Sequence, residues 1–593
     1  MTGSTTRPTL RGTFGMVSST HWLASASAMA ELEAGGNAFD AAVAAAFVLH
    51  VVEPHLNGPG GDMPAVFATA ADRTPTVLCG QGPAPSGATV GHYTGLGLDL
   101  IPGSGPLAAA VPGAVDAWLL LLRDHGTRRL RDVLSYAVGY ARDGHPLLPQ
   151  AADLLTSMAP MFREHWPTSA ALWLRDGAVP GHWERFVNTE YADTLARLIA
   201  EGEATGSDRE SQIEGARRAW GQGFVAEAVD AFQRVPHRDS SGGDHAGLVT
   251  GDDMASFSAT YEPALVGQFR DVEVAKTGPW GQGPVLLQSL AMLDGLPDDL
   301  LDPSTADGVH TVTEVLKLAF ADREAWFGDG GDVPIDDLLS PAYVVARRAL
   351  VGASASRELR PGRPGGREPR VAAHVLKASG VDIQVGLGEP TVLTSGETRG
   401  DTCHVDVVDR WGNIISATPS GGWLQSSPTV PGLGFCLGSR MQMFWLEEGL
   451  ASTVAPGRRP RTTLSPTLVL RDGTPVMACG SPGGDQQDQW QLLFLLRCLV
   501  GGQELQQAID APNWHTTSLP GSFYPRDMEP GGLVVEDRIG RAVIDELTRR
   551  GHDVTRAGPW TLGRLCAVVR DPSTGDLQAA ANSRGEQGYA AGR

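Results

Sequence analysis

The stretch Gly-Asp-Thr-Cys-His, residues 400 to 404, opens a strand-like run that ends at Ser420. A threonine hydroxyl is a poor nucleophile without a base beside it, and no neighbouring side chain supplies one. If the chain is cut between Asp401 and Thr402, the new α-amine sits on the same residue as the hydroxyl. Its reference pKa of about 7.7–8.0 suits a general base, so the nucleophile would carry its own base. The plainer alternative for Thr402 is β-propensity at the start of a strand. Cys403 and His404 look like a thiol and its base, but adjacent residues of an extended strand point to opposite faces. Cys403 therefore reads as core and His404 as a structural residue with its partners satisfied.

The element that must position Thr402 is a hairpin. With Arg410, Trp411 and Gly412 as a three-residue loop, Gly412 takes the left-handed position and Asp409 pairs with Asn413. Counting outward, Thr402 falls opposite Ser420, with Cβ atoms about 4.5–5.5 Å apart, so one hydroxyl can orient the other. A bulge at Pro419 would shift that register. A second element, Gly-Ser-Pro-Gly-Gly at 480 to 484, joins a strand to a helix at 488–500. Glycines there let backbone N–H groups approach an oxyanion, each such donor contributing about 2.7–4 kcal/mol in a transition state. The alternative is an ordinary strand-to-helix turn.

The chain around these elements has 593 residues, 42% hydrophobic and 19% charged, enough for a large core. Its net charge of −21 argues against nucleic acid or an anionic membrane as partner. The six cysteines form no CxxC pairs, which favours reduced thiols and a cytoplasmic setting. The N-terminus has no basic segment followed by an apolar one, and the longest apolar run is too short to span a bilayer. The first half reads as mostly helical. Helices are expected near 21–36, closed by Gly35 and Gly36, then at 37–52, 111–126 and 306–327. Residues 352–401, rich in Arg, Pro and Gly at their start, read as an exposed, flexible connector. Beyond them come hairpins at 403–419, 467–479 and 565–581, which imply antiparallel sheets covered by helical layers. His237, Asp239, Asp244 and His245 lack a metal-ligand spacing and read as a solvated loop. No phosphate loop or GxSxG elbow is present.

Several segments together carry a resemblance. "HWLASASAMAELEAGGNAFDAAVAAAFVLHVVEPHLNGPGGD", "TGPWGQG", "LKLAFADREAWFGD", "DTCHVDVVDRWGN", "APGRRPRTTLSPTLVLRDG" and "GSPGG" resemble, in order, segments of the γ-glutamyltransferase family of N-terminal nucleophile hydrolases. The match runs from about residue 15 to 580. It implies an α+β fold built as a four-layer αββα sandwich and a proenzyme that cuts itself between Asp401 and Thr402. The large chain would be 1–401 and the small chain 402–593, the two staying associated. Thr402 would be the nucleophile, Ser420 its orienting hydroxyl, and Gly483 and Gly484 the oxyanion donors. No metal or organic cofactor is implied. The partners are a small amide substrate and water or an amine acceptor, and whether the two-chain unit forms a homodimer stays open.

The resemblance breaks at the substrate clamp. Alignment places Val90 at the family's arginine, Gly422 at its asparagine, Arg440 and Met443 at its acidic pair, and Thr462 and Thr463 at its two serines. Arg440 cannot hold an α-ammonium as a carboxylate does, and it can bind a carboxylate instead. The expectation is therefore an amidohydrolase for a different, anionic acyl group such as a short dicarboxylic monoamide, resembling the oxamate amidohydrolase branch. The alternative places Arg440 in solvent or against Glu447 or Glu448. Arg458, Arg459 and Arg461 read as a charged loop face, with one of them near enough to the threonine pair to assist an acidic substrate. The rival functions are true γ-glutamyl transfer with glutathione hydrolysis, and an unprocessed, noncatalytic binding or scaffold protein.

Overall fold

The computed structural model describes residues 5–330, 332–377, 391–392, 398–399, 402–585 and 588–593. Two seven-stranded antiparallel sheets stack face to face. One runs Tyr589–Gly592, Gly15–Ser19, Val405–Asp409, Ile414–Ala417, Met63–Ala68, Thr76–Gly80, Thr260–Pro263 in spatial order. The other runs Leu10–Gly12, Leu577–Ala581, Cys566–Arg570, Thr474–Gly480, Thr467–Arg471, Val272–Lys276, Leu265–Phe269.

Three apolar layers follow. Met16, Val66, Val408, Ile414, Ala275 and Leu468 fill the space between the sheets. Val405, Val407 and Ile415 face the other way, onto the helices of residues 22–52 and 114–122. Val274, Val469 and Cys479 face the helices Gly283–Leu293, Ala306–Trp326 and Gln487–Leu499. The result is the four-layer αββα sandwich that the hairpins and the resemblance both implied.

Local signals explain the elements beside the site. Helix Trp22–Glu33 starts where the His21 ring accepts from Leu23 N, and ends at Gly35 with φ +92°. Helix Ala38–Val52 starts on an Asn37–Asp40 capping box. Every residue of it is buried, as suits an alanine-rich helix apolar on all sides and packed in a layer. The hairpin register is the expected one: Val405 pairs with Ala417, Gly412 sits at φ +101°, and Asp409 N donates to Asn413 O at 3.1 Å.

One expectation needs correction. From 352 to 377 the connector is packed along the protein rather than loose. Gly362 N donates to Asp322 at 2.6 Å, Arg360 to Glu314 at 3.1 Å, and Trp326 Nε1 to Gly362 O at 3.1 Å. Residues 378–390, 393–397 and 400–401, including Asp401, lie outside the described residues. Among the described residues, no helix is long and apolar enough to cross a membrane.

Candidate active site

Thr402, Ser420 and Asp62 stand at the ends of three neighbouring strands. Thr402 forms an antiparallel bridge with Ser420, and Ser420 with Asp62. Directly paired residues share a face, so the three side chains line up in a row. Thr402 is buried, and its Oγ1 donates to Ser420 Oγ at 3.2 Å. The pairing survives at Pro419, whose carbonyl accepts from Cys403 N at 3.0 Å.

The same face continues down the hairpin as a polar ladder between the sheets. His404 Nδ1 lies 3.0 Å from Thr418 Oγ1, and its Nε2 lies 2.9 Å from Asp406 Oδ1. Ser416 Oγ donates across to Cys479 O in the second sheet at 3.0 Å. Burial pushes the Asp406 carboxyl up, and the His404 ring opposes that rise. Cys403 points to the opposite face, where its Sγ donates to Glu53 at 2.9 Å. Burial first, then Glu53, pushes its thiol well above the usual range, so a thiolate is disfavoured. Cys403 is core and His404 has both ring nitrogens placed, as expected.

Gly480 begins the glycine-rich loop directly against His404. Gly483 has φ +127° and Gly484 φ +50°, and a Cβ on Gly483 would come within 2.3 Å of the Trp490 ring. The next residue, Asp485, fastens the loop: it accepts from Ser522 N at 2.8 Å and Oγ at 2.6 Å and is ion-paired with Arg323. The loop thus begins against the strand that carries Thr402 and is fastened at its far end by Asp485.

The expected substrate residues divide. Arg440 is neither in solvent nor on Glu447 or Glu448. It is buried, and its Nε and Nη2 donate to the two oxygens of Asp62 at 2.7 and 2.8 Å. That fork is the one a substrate carboxylate would need, so Arg440 is not a free anion receptor. Burial raises the Asp62 carboxyl even though the Arg440 guanidinium lowers it. Gly422 has φ +64° and lies against Gly61 and Cys436, so no side chain fits there. Thr462 Oγ1 accepts from Leu464 N at 3.3 Å, whereas Thr463 Oγ1 is buried without a partner among the described residues.

Arg461 is not on a loop face but fully buried, 3.0 Å from Glu324. Arg459 pairs with Asp329 at 2.7 Å and with Glu262. Asp239 is buried and lies 2.7 Å from His245 Nδ1, so that loop is tied down rather than solvated. His310, Glu314 and His552 converge closely enough to suggest a cation site. Glu314 already accepts from Lys317 at 2.7 Å and Arg360 at 3.1 Å, and two neighbouring cations disfavour a metal ion. Asp62 and this cluster were missed in the sequence because each joins residues hundreds of positions apart.

The comparisons agree with this geometry. The family described as gamma-glutamyltranspeptidase matches residues 24–592. The chain is 30% identical to the glutathione hydrolase-like YwrD proenzyme of Bacillus subtilis (strain 168), over 97% of this chain and 98% of that one. It is 31% identical to the oxamate amidohydrolase proenzyme of Klebsiella pneumoniae subsp. pneumoniae, over 98% of each. The solved structure of LmbA2991HD is 58% identical, with TM-score 0.94 over 100% of both chains. The chain belongs to the gamma-glutamyltranspeptidase family and is an autoprocessed N-terminal nucleophile hydrolase that cleaves an amide bond through a threonine.

Proposed function

We propose that Thr402 is that threonine, freed by a cut after Asp401 that divides the protein into chains 1–401 and 402–593. In catalysis the Thr402 Oγ attacks the substrate carbonyl carbon while its α-amine takes the hydroxyl proton. Ser420 holds the attacking oxygen in line. The Gly483 and Gly484 amides stabilise the oxyanion, and its collapse expels the amine with the proton returned. Water then attacks the acyl ester and restores the threonine; an amine acceptor would give transfer by the same route. The observation that carries this reading is the 3.2 Å contact between the Thr402 and Ser420 hydroxyls at the mouth of the nucleophile strand.

The acyl group we infer lacks an α-ammonium. Both oxygens of Asp62 are occupied by Arg440. Gly422 and Val90 offer no polar side chain at the other clamp positions. The oxamate amidohydrolase relative supports a short acyl substrate outside the γ-glutamyl class. True γ-glutamyl transfer needs an ammonium receptor that this pocket does not present. A cytoplasmic setting is supported by six cysteines that form no disulfide, five of them buried.

Intact mass of the purified protein, with the N-terminus of the smaller fragment sequenced, tests the reading. Two chains split before Thr402 are expected, together with an uncut Thr402→Ala variant and an acyl adduct on the small chain. A wild-type chain that remains whole would overturn it in favour of a binding protein.

A further inference from the structure

Gly483 and Gly484, at φ +127° and +50°, have no side chains with which to hold their own amides still. An oxyanion donor is effective only as far as it is preorganised, so groups outside the pair must fix it. Each glycine is backed by an aromatic ring. A Cβ on Gly483 would come within 2.3 Å of Trp490, and one on Gly484 within 3.0 Å of Phe523 Cε2. Trp490 stands on the helix Gln487–Leu499 that follows the loop. Phe523 stands on a separate segment further along the chain, which has to be brought to the loop.

Asp485 brings it there. Its Oδ2 accepts from Ser522 N at 2.8 Å and its Oδ1 from Ser522 Oγ at 2.6 Å, and the residue after Ser522 is the one that packs on Gly484. Arg323 closes the bracket from behind. It is fully buried, and its Nη1 donates to Asp485 Oδ1 and, at 2.7 Å, to Gln282 Oε1, while its Nη2 donates to Pro520 O at 2.9 Å. One guanidinium thus grips the carboxylate beside the loop and the backbone just before Ser522. Its charge balances that of Asp485, and such charge-assisted bonds are among the stronger ones in proteins. Arg323 and Gln282 precede the proposed cut, whereas Asp485, Pro520 and Ser522 follow it.

On the reading that Gly483 and Gly484 supply the oxyanion donors, we propose that Asp485, held by Arg323 and Ser522, is the positioning residue of that loop. Both of its oxygens are occupied by Ser522 and Arg323, so it acts through the backbone it shares with Gly484 and through the placement of Phe523. The part of the protein before the cut holds none of the proposed reacting groups, yet through Arg323 it sets the rate at which the other part works. A bracket that served stability alone would lower the yield of folded, cut protein and leave the rate constants of the matured fraction unchanged.

The test uses the p-nitroanilides of oxamic, succinic and glutaric acids, with turnover read by released p-nitroaniline and acyl-Thr402 by acid quench and intact mass. Kinetics are measured on fully cut protein with the panel member that the wild type turns over fastest. Asp485→Asn is expected to lower kcat about 100-fold, the scale of a misplacement of about 1 Å, with KM little changed. Acyl-Thr402 formation and its hydrolysis both pass through an oxyanion, so both single-turnover rates should fall by similar factors. Arg323→Lys combined with Asp485→Asn should be no slower than Asp485→Asn alone, because the two act as one unit. Ser522→Ala leaves the ion pair intact and decides the matter if Asp485→Asn fails to mature; its kcat should fall about 10-fold or more with the same split. An unchanged kcat in whichever variant matures overturns the proposal, as does a loss confined to KM or to one of the two chemical steps. Neither turnover nor an acyl-Thr402 adduct on the wild type with any of the three probes defeats the hydrolase reading itself, whereas a wild type that reacts and variants that react equally fast defeat only the role of Asp485.

Discussion

The ring of His404 lies directly over the Cα of Gly480. A Cβ placed there would come within 2.1 Å of His404 Cε1. This contact joins the strand of the proposed nucleophile, two residues after Thr402, to the first residue of the proposed oxyanion loop. His404 cannot swing away, because Thr418 and Asp406 hold both of its nitrogens. The relative position of Thr402 and the proposed oxyanion donors therefore depends on the absence of a side chain at Gly480. Gly480→Ala is expected to lower kcat about 100-fold with a small effect on KM, the scale of a misplacement of about 1 Å. Steady-state kinetics on fully matured protein check this, and an unchanged kcat would refute the coupling.

Ser420→Ala removes a hydrogen-bond partner of the Thr402 hydroxyl, not the hydroxyl itself. A hydrogen bond of this kind contributes about 1.5–3 kcal/mol when charge develops on one side, so kcat should fall about 10- to 100-fold. Ser420→Thr keeps the oxygen and should retain most activity. A merely structural role would make both variants equally poor, and the Ser420→Thr rate separates the two accounts.

These residues were legible in the sequence because they are local. Alternation and Gly412 set the hairpin register, and the register placed Ser420 opposite Thr402 without any knowledge of the rest. Three hairpins and a set of capped apolar helices likewise implied the layers. Arg440 was misread because its partner stands 378 positions away, and no local pattern announces it. Arg461 was misread for the same reason: in "GRRPRTT" it looks like one of three surface arginines, yet it alone is fully buried, against Glu324. The connector looked loose because proline and arginine are common in loops, whereas here Arg360 and the backbone of Gly362 find buried carboxylates. Charge pairing over long separations is what composition and periodicity leave out.

Glu324 gives that pairing a pH signature. It is buried, accepts from Trp445 Nε1 at 2.7 Å, and is flanked by Arg461, Arg526 and Arg323. Burial alone would raise its carboxyl, but the three guanidiniums overcome that and pull it down to about 2. A carboxyl depressed on folding contributes stability that is full above its unfolded value and lost as pH falls through the folded one. The contribution should thus be complete above about pH 4.3 and disappear toward pH 2. Glu324→Gln is expected to cost about 3–5 kcal/mol at pH 7, since it leaves buried guanidiniums unpaired. Urea unfolding at pH 7, 4 and 2.5 should show the gap between the two proteins closing only below pH 4. A gap constant with pH would show that Glu324 acts through shape rather than charge.

Lys276 and Asp488 pose the complementary case, a fully buried pair 3.0 Å apart that links the two sides of the proposed cut. Lys276 also donates to Thr467 Oγ1 at 2.7 Å and Ser465 O at 3.1 Å. Burial lowers the lysine and raises the aspartate, each opposed by its partner. Asp488 also accepts from Ser465 Oγ at 2.6 Å; Lys276→Met would strand Asp488, at about 3–5 kcal/mol, whereas Lys276→Met with Asp488→Asn keeps that acceptor and should recover most of the loss. The single variant carries a further sign. Without the ammonium, Asp488 is raised further above its unfolded value, so the folded state loses ground as pH rises past that value and regains it as pH falls. Lys276→Met should therefore approach wild-type stability near pH 4, and the double variant should show no such trend. Equal losses in single and double variants at pH 7 would mean that packing of the lysine stem, rather than its charge, holds this junction.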